Sequence, residues 1–427
     1  MTEAQTQSLQ QELAELDAAH VIHPHAVVGE PAPPVVWARG RGALLWDVDG
    51  KEYVDGTCGL WQCAVGHGRA ELARAAAKQI EQLEFYASFW NFANEPSLRL
   101  AGRLAELSPP GLDHVFFTNG GSEGVETAIK LVRLAWHASE QPDRTVILSR
   151  KSAYHGVGSA SLAATGIPQL QEGFAPLAPG FVHLSTPTLS ASVDELVDEL
   201  ERTIADIGAE QIAAFVGEPV MGVGGMIPPP EGYWPRVQEV VRKHGILLVL
   251  DEVVTAYGRT GHWFAAERYG LDPDVIVTAK ALTGGYIPMG AVLVHDRVVE
   301  KLEGTAFRHG FTYNGHPVGA AVALANLQII ETENLLERAR QTGQRMLERL
   351  KPALELDGVR EVRGVGLMLG VEVDPERDTT AVARRALDRG VVVRASGQKI
   401  VMSPPFVIET DQADRIVDVL LEELRTL

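Results

Sequence analysis

Two short runs, Ile246–Leu250 and Val275–Ala279, consist almost wholly of Ile, Leu, Val and Ala, and each ends in one ionisable residue, Asp251 or Lys280. An apolar run without polar alternation suits a strand buried on both faces, as in a parallel sheet between helices. Sheets of that kind bind ligands beyond the carboxyl ends of their strands. The pattern therefore predicts Asp251 and Lys280 side by side at that edge, an acid and an amine both withdrawn from water.

The surrounding chain repeats this grammar. Strands are expected at His114–Thr118, Thr145–Leu148, Phe181–Leu184, Ile212–Val216, Ile246–Leu250, Val275–Thr278 and Ala291–Val294. Helical periodicity occupies 69–83, 96–107, 123–137, 192–206 and 231–243, with Asn94-Glu95-Pro96 as a helix start. Strand–helix alternation of this length implies an α/β fold with a mostly parallel central sheet. Ala43–Trp46 and Glu52–Val54 flank Asp49-Gly50, a hairpin turn signal. After about 317 the pattern changes: a long helical region to 353, a Gly- and Val-rich stretch Val359–Val373, a helix near 378–388, strands Val391–Arg394 and Lys399–Met402, and a helix from Asp411 to Arg425. Three segments follow: 1–60, a helix over 5–20 with strands that join a small domain; 61–317, a large α/β domain; and 318–427, a small α+β domain.

The acid–amine pair carries specific chemistry. Desolvation penalises the charged form of a buried lysine and so favours the amine that condenses with an aldehyde. An aspartate facing a pyridine nitrogen keeps that nitrogen protonated. Together they describe a pyridoxal 5'-phosphate site; the plain alternative is a strand-end ion pair. The strand–turn–helix segment H-V-F-F-T-N-G-G-S-E-G-V-E-T-A-I-K adds an anion site, because a helix start presents free N–H groups and a favourable dipole. Gly120 and Gly121 permit close approach and Ser122 offers a hydroxyl. The same residues also match the G-x-S-x-G nucleophile elbow, with Asp251 and His309 in hydrolase order. That serine-hydrolase alternative leaves Lys280 without a role and lacks an upstream oxyanion motif. Gly222-Val223-Gly224-Gly225 runs into Met-Ile-Pro-Pro-Pro instead of a helix, so it is no dinucleotide fingerprint.

Composition narrows the partners. The 427 residues carry a net charge of -18, which argues against nucleic acid and anionic membranes. No apolar run reaches membrane-spanning length. Cys58 and Cys63 are too few for a disulfide framework or metal cluster, and fit reduced thiols in a cytoplasmic protein. His23 and His25 have no acidic or cysteine partner nearby, so no metal site is expected.

In combination, W-D-V-D-G-K-E-Y-V-D, T-N-G-G-S-E-G-V-E-T-A-I-K, Y-H-G, G-E-P-V, L-D-E-V-V-T-A-Y-G-R-T-G, A-K-A-L-T-G-G, T-Y-N-G-H-P and M-S-P-P resemble the class III pyridoxal-phosphate aminotransferases, the omega-aminotransferase group of fold type I. The resemblance runs from about Pro24 to the C-terminus. It implies that Lys280 bonds the cofactor aldehyde, that Asp251 faces the pyridine nitrogen with Glu218 supporting it, and that Val253 and Tyr154 flank the ring. Gly120, Gly121 and Ser122 match the phosphate turn, with glycine at 120 where the family often has serine. Thr312 matches a threonine that reaches the phosphate of a neighbouring subunit, which implies a homodimer with shared sites. Arg394 matches a mobile arginine that grips a substrate carboxylate, and Trp61, Phe89 and Trp90 match pocket aromatics. The implied reaction moves an amino group from an amine or omega-amino acid to an oxo acid, with pyruvate as first choice, by a ping-pong route. Aminomutases and decarboxylating relatives share the lysine and aspartate and form the alternative.

Overall fold

Seven strands make the central sheet, and six of them run parallel. The computed structural model describes residues 3–29 and 35–426. Residues 1, 2, 30–34 and 427, parts of the expected terminal segments, lie outside the described residues. In chain order the strands are β1 Trp37–Arg41, β2 Leu44–Asp47, β3 Glu52–Asp55, β4 His114–Thr118, β5 Val146–Arg150, β6 Phe181–Leu184, β7 Ile212–Gly217, β8 Leu247–Asp251, β9 Val275–Thr278, β10 Gly290–Val294, β11 Val359–Val365, β12 Met368–Val373, β13 Val391–Val392, β14 Arg394–Ser396 and β15 Lys399–Met402. The central sheet has the order β4-β10-β9-β8-β7-β5-β6. Only β10 is reversed, lying antiparallel to both β4 and β9.

Every residue of β7, β8, β9 and β10 is buried, which explains their unbroken apolar runs. One covering helix, Gly121–Ala138, turns Val125, Ala128, Ile129, Val132, Ala135 and Trp136 into the sheet at helical spacing. It lies close: a Cβ on Gly124 would meet Val277 Cγ1 at 2.6 Å. The helix Glu95–Leu107 starts as expected, with Asn94 Oδ1 accepting from Ser97 N at 3.0 Å.

Two four-stranded sheets lie outside this layer. One has the order β1-β2-β3-β13, so a C-terminal strand completes the N-terminal hairpin sheet. The other, β11-β12-β15-β14, is antiparallel throughout. Two expectations need correction. The helical region 317–353 is two helices, Pro317–Thr332 and Leu335–Leu350, followed by a 3-10 turn. They break at Asn334, which takes the left-handed φ of 51° that asparagine tolerates better than most residues. Val391–Arg394 is not one strand either. The chain changes sheets at Val393, leaving β13 beside β3 and β14 beside β15.

The N-terminal helix spans Glu3–His20. His23, just beyond it, contacts Asp17 at 2.7 Å, which corrects the expectation that it lacks an acidic partner: the chain leaving the helix end brings the two together. No metal-holding cluster of His, Cys, Asp or Glu occurs among the described residues. No helix among them is long and apolar enough to cross a membrane.

Candidate active site

β8 and β9 are neighbours, with Asp251 in register with Val277. Asp251 closes β8, and Lys280 opens a 3-10 turn just beyond β9. The expected pair thus lies at the carboxyl edge of the sheet, lining a cavity of about 360 Å³. Lys280 holds a left-handed φ of 44°, an unusual conformation for a side-chain-bearing residue. Burial pushes its pKa down to about 8; Asp251 and Glu218 pull it upward and Arg394 downward. The amine is therefore about one-tenth neutral at pH 7, far more than an ordinary lysine.

The acids are fixed by named donors. Asp251 Oδ1 accepts from Val253 N at 3.1 Å, and Oδ2 meets His155 Nδ1 at 2.8 Å. Each oxygen has a further lone pair for a ring N–H. His155 is buried and went unread in the sequence; its only signal was its place in Y-H-G. Glu218 accepts from Tyr154 N at 3.1 Å and Gly222 N at 2.7 Å, and burial raises its pKa. Glu252, next to Asp251, serves a different end. Buried away from the cavity lining, it accepts from Thr255 Oγ1, Ala265 N and Ala266 N, and burial pushes it up to about 7.

Gly120, Gly121 and Ser122 line the same cavity at the start of the helix Gly121–Ala138. Gly121 is packed against Val253, since a Cβ there would meet Val253 Cγ1 at 2.8 Å. Gly156, at a φ of 123°, lets its loop approach Ser122, whose Oγ accepts from Val157 N at 3.3 Å. Glu123 bonds back to Asn119 N and Nδ2 and braces the turn. Tyr154 and Val253 also line the cavity. An anion cradle, an acid and a partly neutral amine around one cavity fit a phosphorylated pyridine aldehyde. No hydrolase triad forms: His309 bonds Thr127 Oγ1 at 2.9 Å, while Asp251 faces His155.

Trp61 has two basic side chains close to its ring. Lys280 Nζ is 5.4 Å from its ring centroid and Arg394 Cζ is 5.3 Å away. The indole is 2% exposed. Arg394 is half-buried, with its pKa lowered by burial, and its guanidinium makes no hydrogen bond or ion pair among the described residues. Trp61 ends a turn in which Cys58, Gly59, Leu60 and Trp61 all have left-handed φ, of 55°, 53°, 70° and 68°. The three non-glycine residues make this turn cost about 3–6 kcal/mol. Phe89 is half-buried against Gly310, whereas Trp90 is 87% exposed and Thr312 is exposed; these three, like Trp61 and Arg394, lie outside the cavity lining of one chain, although Gln62 and Lys280 beside Trp61 belong to it.

The aminotransferase class-III family model matches residues 26–424. A putrescine–pyruvate aminotransferase of Pseudomonas aeruginosa is 39% identical over 404 residues, covering 89% of this chain and 88% of that protein. An (S)-enantioselective omega-transaminase from Thermomicrobium roseum superposes with a TM-score of 0.93 at 45% identity, over 97% of this chain and 98% of that one. An amine transaminase from an uncultivated Pseudomonas species, solved in its PLP-bound form, gives 0.92 at 37% identity, over 95% and 98% of the two chains. The protein is thus a pyridoxal 5'-phosphate-dependent aminotransferase that moves amino groups between amines or amino acids and oxo acids, and it belongs to the class-III aminotransferases.

Proposed function

We propose that this enzyme is an amine–pyruvate transaminase whose single cavity takes an uncharged amine and a carboxylate in turn. The observation that carries this reading is the placement of Arg394 over Trp61 without an acidic partner among the described residues. An apolar wall suits the side chain of an amine, and an uncommitted guanidinium suits a carboxylate through two parallel hydrogen bonds. The name of the putrescine–pyruvate relative supports pyruvate as acceptor.

Bound pyridoxal phosphate supplies an electron-poor ring that takes up charge from the reacting carbon. The chain's residues do the rest. Asp251 holds the proton on the ring nitrogen, and His155, at 2.8 Å, fixes that carboxylate. Val253 and Tyr154, both in the cavity lining, would contact the ring. Gly120, Gly121 and Ser122 hold the phosphate with backbone and hydroxyl donors. Lys280 Nζ, at the cavity wall, would take a proton from the substrate carbon as a base and give it back as an acid. Arg394 grips the carboxylate of the incoming oxo acid.

The homodimer belongs to the same proposal. Tyr86 pairs with Phe92, Phe89 with Trp90 and Phe85 with Tyr313, at centroid distances of 5.4, 5.8 and 5.5 Å. Much of this aromatic surface is exposed, and Thr312 lies beside Tyr313. A patch of this kind marks a protein interface. A second subunit would cover it and receive Thr312 at its phosphate site, with Phe89 and Trp90 at the pocket mouth. Division into the large domain 61–317 and the small domain from 1–60 and 318–427 follows the separation of the three sheets. Two free thiols support a cytoplasmic setting.

Mixing the cofactor-loaded enzyme with a panel of amines, and following the visible absorbance of the cofactor, identifies the donors. Arg394→Ala is expected to lower kcat/KM for pyruvate about 100-fold and for an uncharged arylalkyl amine less than about threefold. Equal losses for both would remove the arginine from the acceptor site.

Gly120 offers a gain-of-function test. Its φ of 179° is open to any residue, and a Cβ there meets nothing within 4 Å. Gly120→Ser is expected to tighten cofactor binding about fivefold, the yield of one added hydrogen bond of about 1 kcal/mol. Cofactor release during dialysis measures it, and unchanged or faster release counts against the phosphate cradle at this turn.

A further inference from the structure

The left-handed turn that presents Trp61 is held by one buried carboxylate. Asp55, the last residue of β3, is fully buried. Its Oδ1 accepts from Thr57 N and Thr57 Oγ1, both at 2.9 Å, and its Oδ2 accepts from Gly59 N at 2.8 Å. The remaining contact comes from outside the turn: His67 Nε2 lies 2.9 Å from Oδ2. The turn itself closes through Trp61 N to Thr57 O at 2.7 Å and Gln62 N to Cys58 O at 2.8 Å. Neighbouring chain is built around the imidazole, since a Cβ on Gly40 would meet His67 Cβ at 2.7 Å.

A buried carboxylate needs a cationic or multiply donating partner to stay ionised. His67 supplies it. Burial opposes the charged ring, but Asp55 and the Cys63 thiol outweigh burial and push its pKa up to about 10. Asp55 is correspondingly held below the usual carboxylate range, with burial opposed by His67 and Thr57. Arg259, the other cation near the turn, is engaged by Cys58 Sγ at 3.2 Å and by Pro404 O at 2.6 Å. Neither Asp55 nor His67 lines the cavity, and Trp61 reaches it through its neighbours Gln62 and Lys280, so any influence on substrate passes through the turn.

We infer that His67 is a positioning residue: by clamping Asp55 it keeps the strained turn in place, holds Trp61 beside Lys280 and Arg394, and so limits the size of amine the pocket accepts. This rests on the reading of Trp61 as a pocket wall given above. The clamp works on side-chain geometry alone, with no part in proton transfer.

The test compares kcat/KM of the cofactor-loaded enzyme for a bulky arylalkyl amine and a small alkyl amine. His67→Ala is expected to raise the bulky-to-small ratio about tenfold, with cofactor absorbance retained. His67→Gln, whose amide nitrogen reaches the Nε2 position, restores the ratio to within about twofold. In a Trp61→Ala background His67→Ala changes the ratio less than about twofold, because both act at one wall. Leu60→Gly removes left-handed strain at an exposed position. Combined with His67→Ala it returns the ratio towards that of the parent, and it supplies a foldable background if His67→Ala alone does not accumulate. Independent effects of His67 and Trp61, failure of glutamine to do better than alanine, or no return in the Leu60→Gly double variant each overturn the assignment. An unmodified enzyme that turns over neither amine rejects the underlying reading instead, and leaves a distinct signature.

Discussion

Lys280→Ala is expected to reduce steady-state turnover by about 10⁴-fold or more, the range lost with a residue that both bonds the cofactor and transfers the proton. The chain should still fold and still bind cofactor through the turn at 120–122, without the visible absorbance of the parent. Stability separates this from a folding defect. Burial pushes the Lys280 amine down to about 8 from 10.5. A base whose folded pKa lies below its unfolded one costs stability in full below the folded value. That cost fades as pH rises from about 8 towards 10.5. Removing the amine relieves it, so cofactor-free Lys280→Ala should melt no lower than the parent at pH 7 and gain least near pH 10. Thermal melts across that range, beside turnover assays, check both parts. Turnover within tenfold of the parent would assign the proton transfer to another group.

The same physics explains what the sequence disclosed. Strands β4, β6, β9 and β15 have the expected limits, and β7, β8 and β10, whose unbroken apolar runs mark burial on both faces, lie within one residue of theirs. Strand direction leaves no such mark. Gly290–Val294 reads like its neighbours yet runs against them, since pleat and burial are the same either way. The sheet change at Val393 was hidden for a related reason: four consecutive residues of strand character carry no signal of which neighbour each will find. The left-handed turn was less visible still. Of Cys58–Trp61 only Gly59 favours that conformation, and the bonds that brace the turn, from Thr57 and Gly59 to Asp55 and from His67 12 residues further on, leave no local signal.

At the site, Asp251 and Lys280 were legible because each interrupts an apolar run at a strand end. His155 was not, since its partner Asp251 lies 96 positions further on and nothing local to Y-H-G demands an acid. Adjacent acids also divided without warning. Asp251 lines the cavity, while Glu252 caps the backbone at 265 and 266. The spacing of Ser122, Asp251 and His309 suggested a triad that chain order alone permits. The fold sends His309 to Thr127 and a cluster with Phe116 and Phe307 instead.

Asp251→Asn should slow the amine half-reaction by about 10³-fold, because it removes the charge that keeps the ring nitrogen protonated while leaving the shape of the site intact. Each pKa unit of that support is worth about 1.4 kcal/mol, so a shift of two to three units at the nitrogen accounts for most of the loss. The change also has a structural cost. Asp251 now accepts from Val253 N and faces His155 Nδ1. An asparagine oxygen can satisfy one of them, leaving its amide to confront the other, at about 1–3 kcal/mol. A destabilised but otherwise sound site would lose cofactor and rate together. Loss of the electronic role predicts a different pattern: rate falls about 10³-fold while cofactor affinity, held mainly by the phosphate turn, falls less than about tenfold. A third readout isolates the charge. Asp251 is the larger of the two acids' pulls on the Lys280 amine, so its neutralisation sends that pKa further below about 8. In cofactor-free protein the rate of aldehyde capture by Lys280 should then reach its plateau at lower pH than in the parent. Stopped-flow measurement of the half-reaction and a pH series of aldehyde capture provide the check. A half-reaction within tenfold of the parent, with an unmoved pH profile, would place the group that supports the ring nitrogen elsewhere.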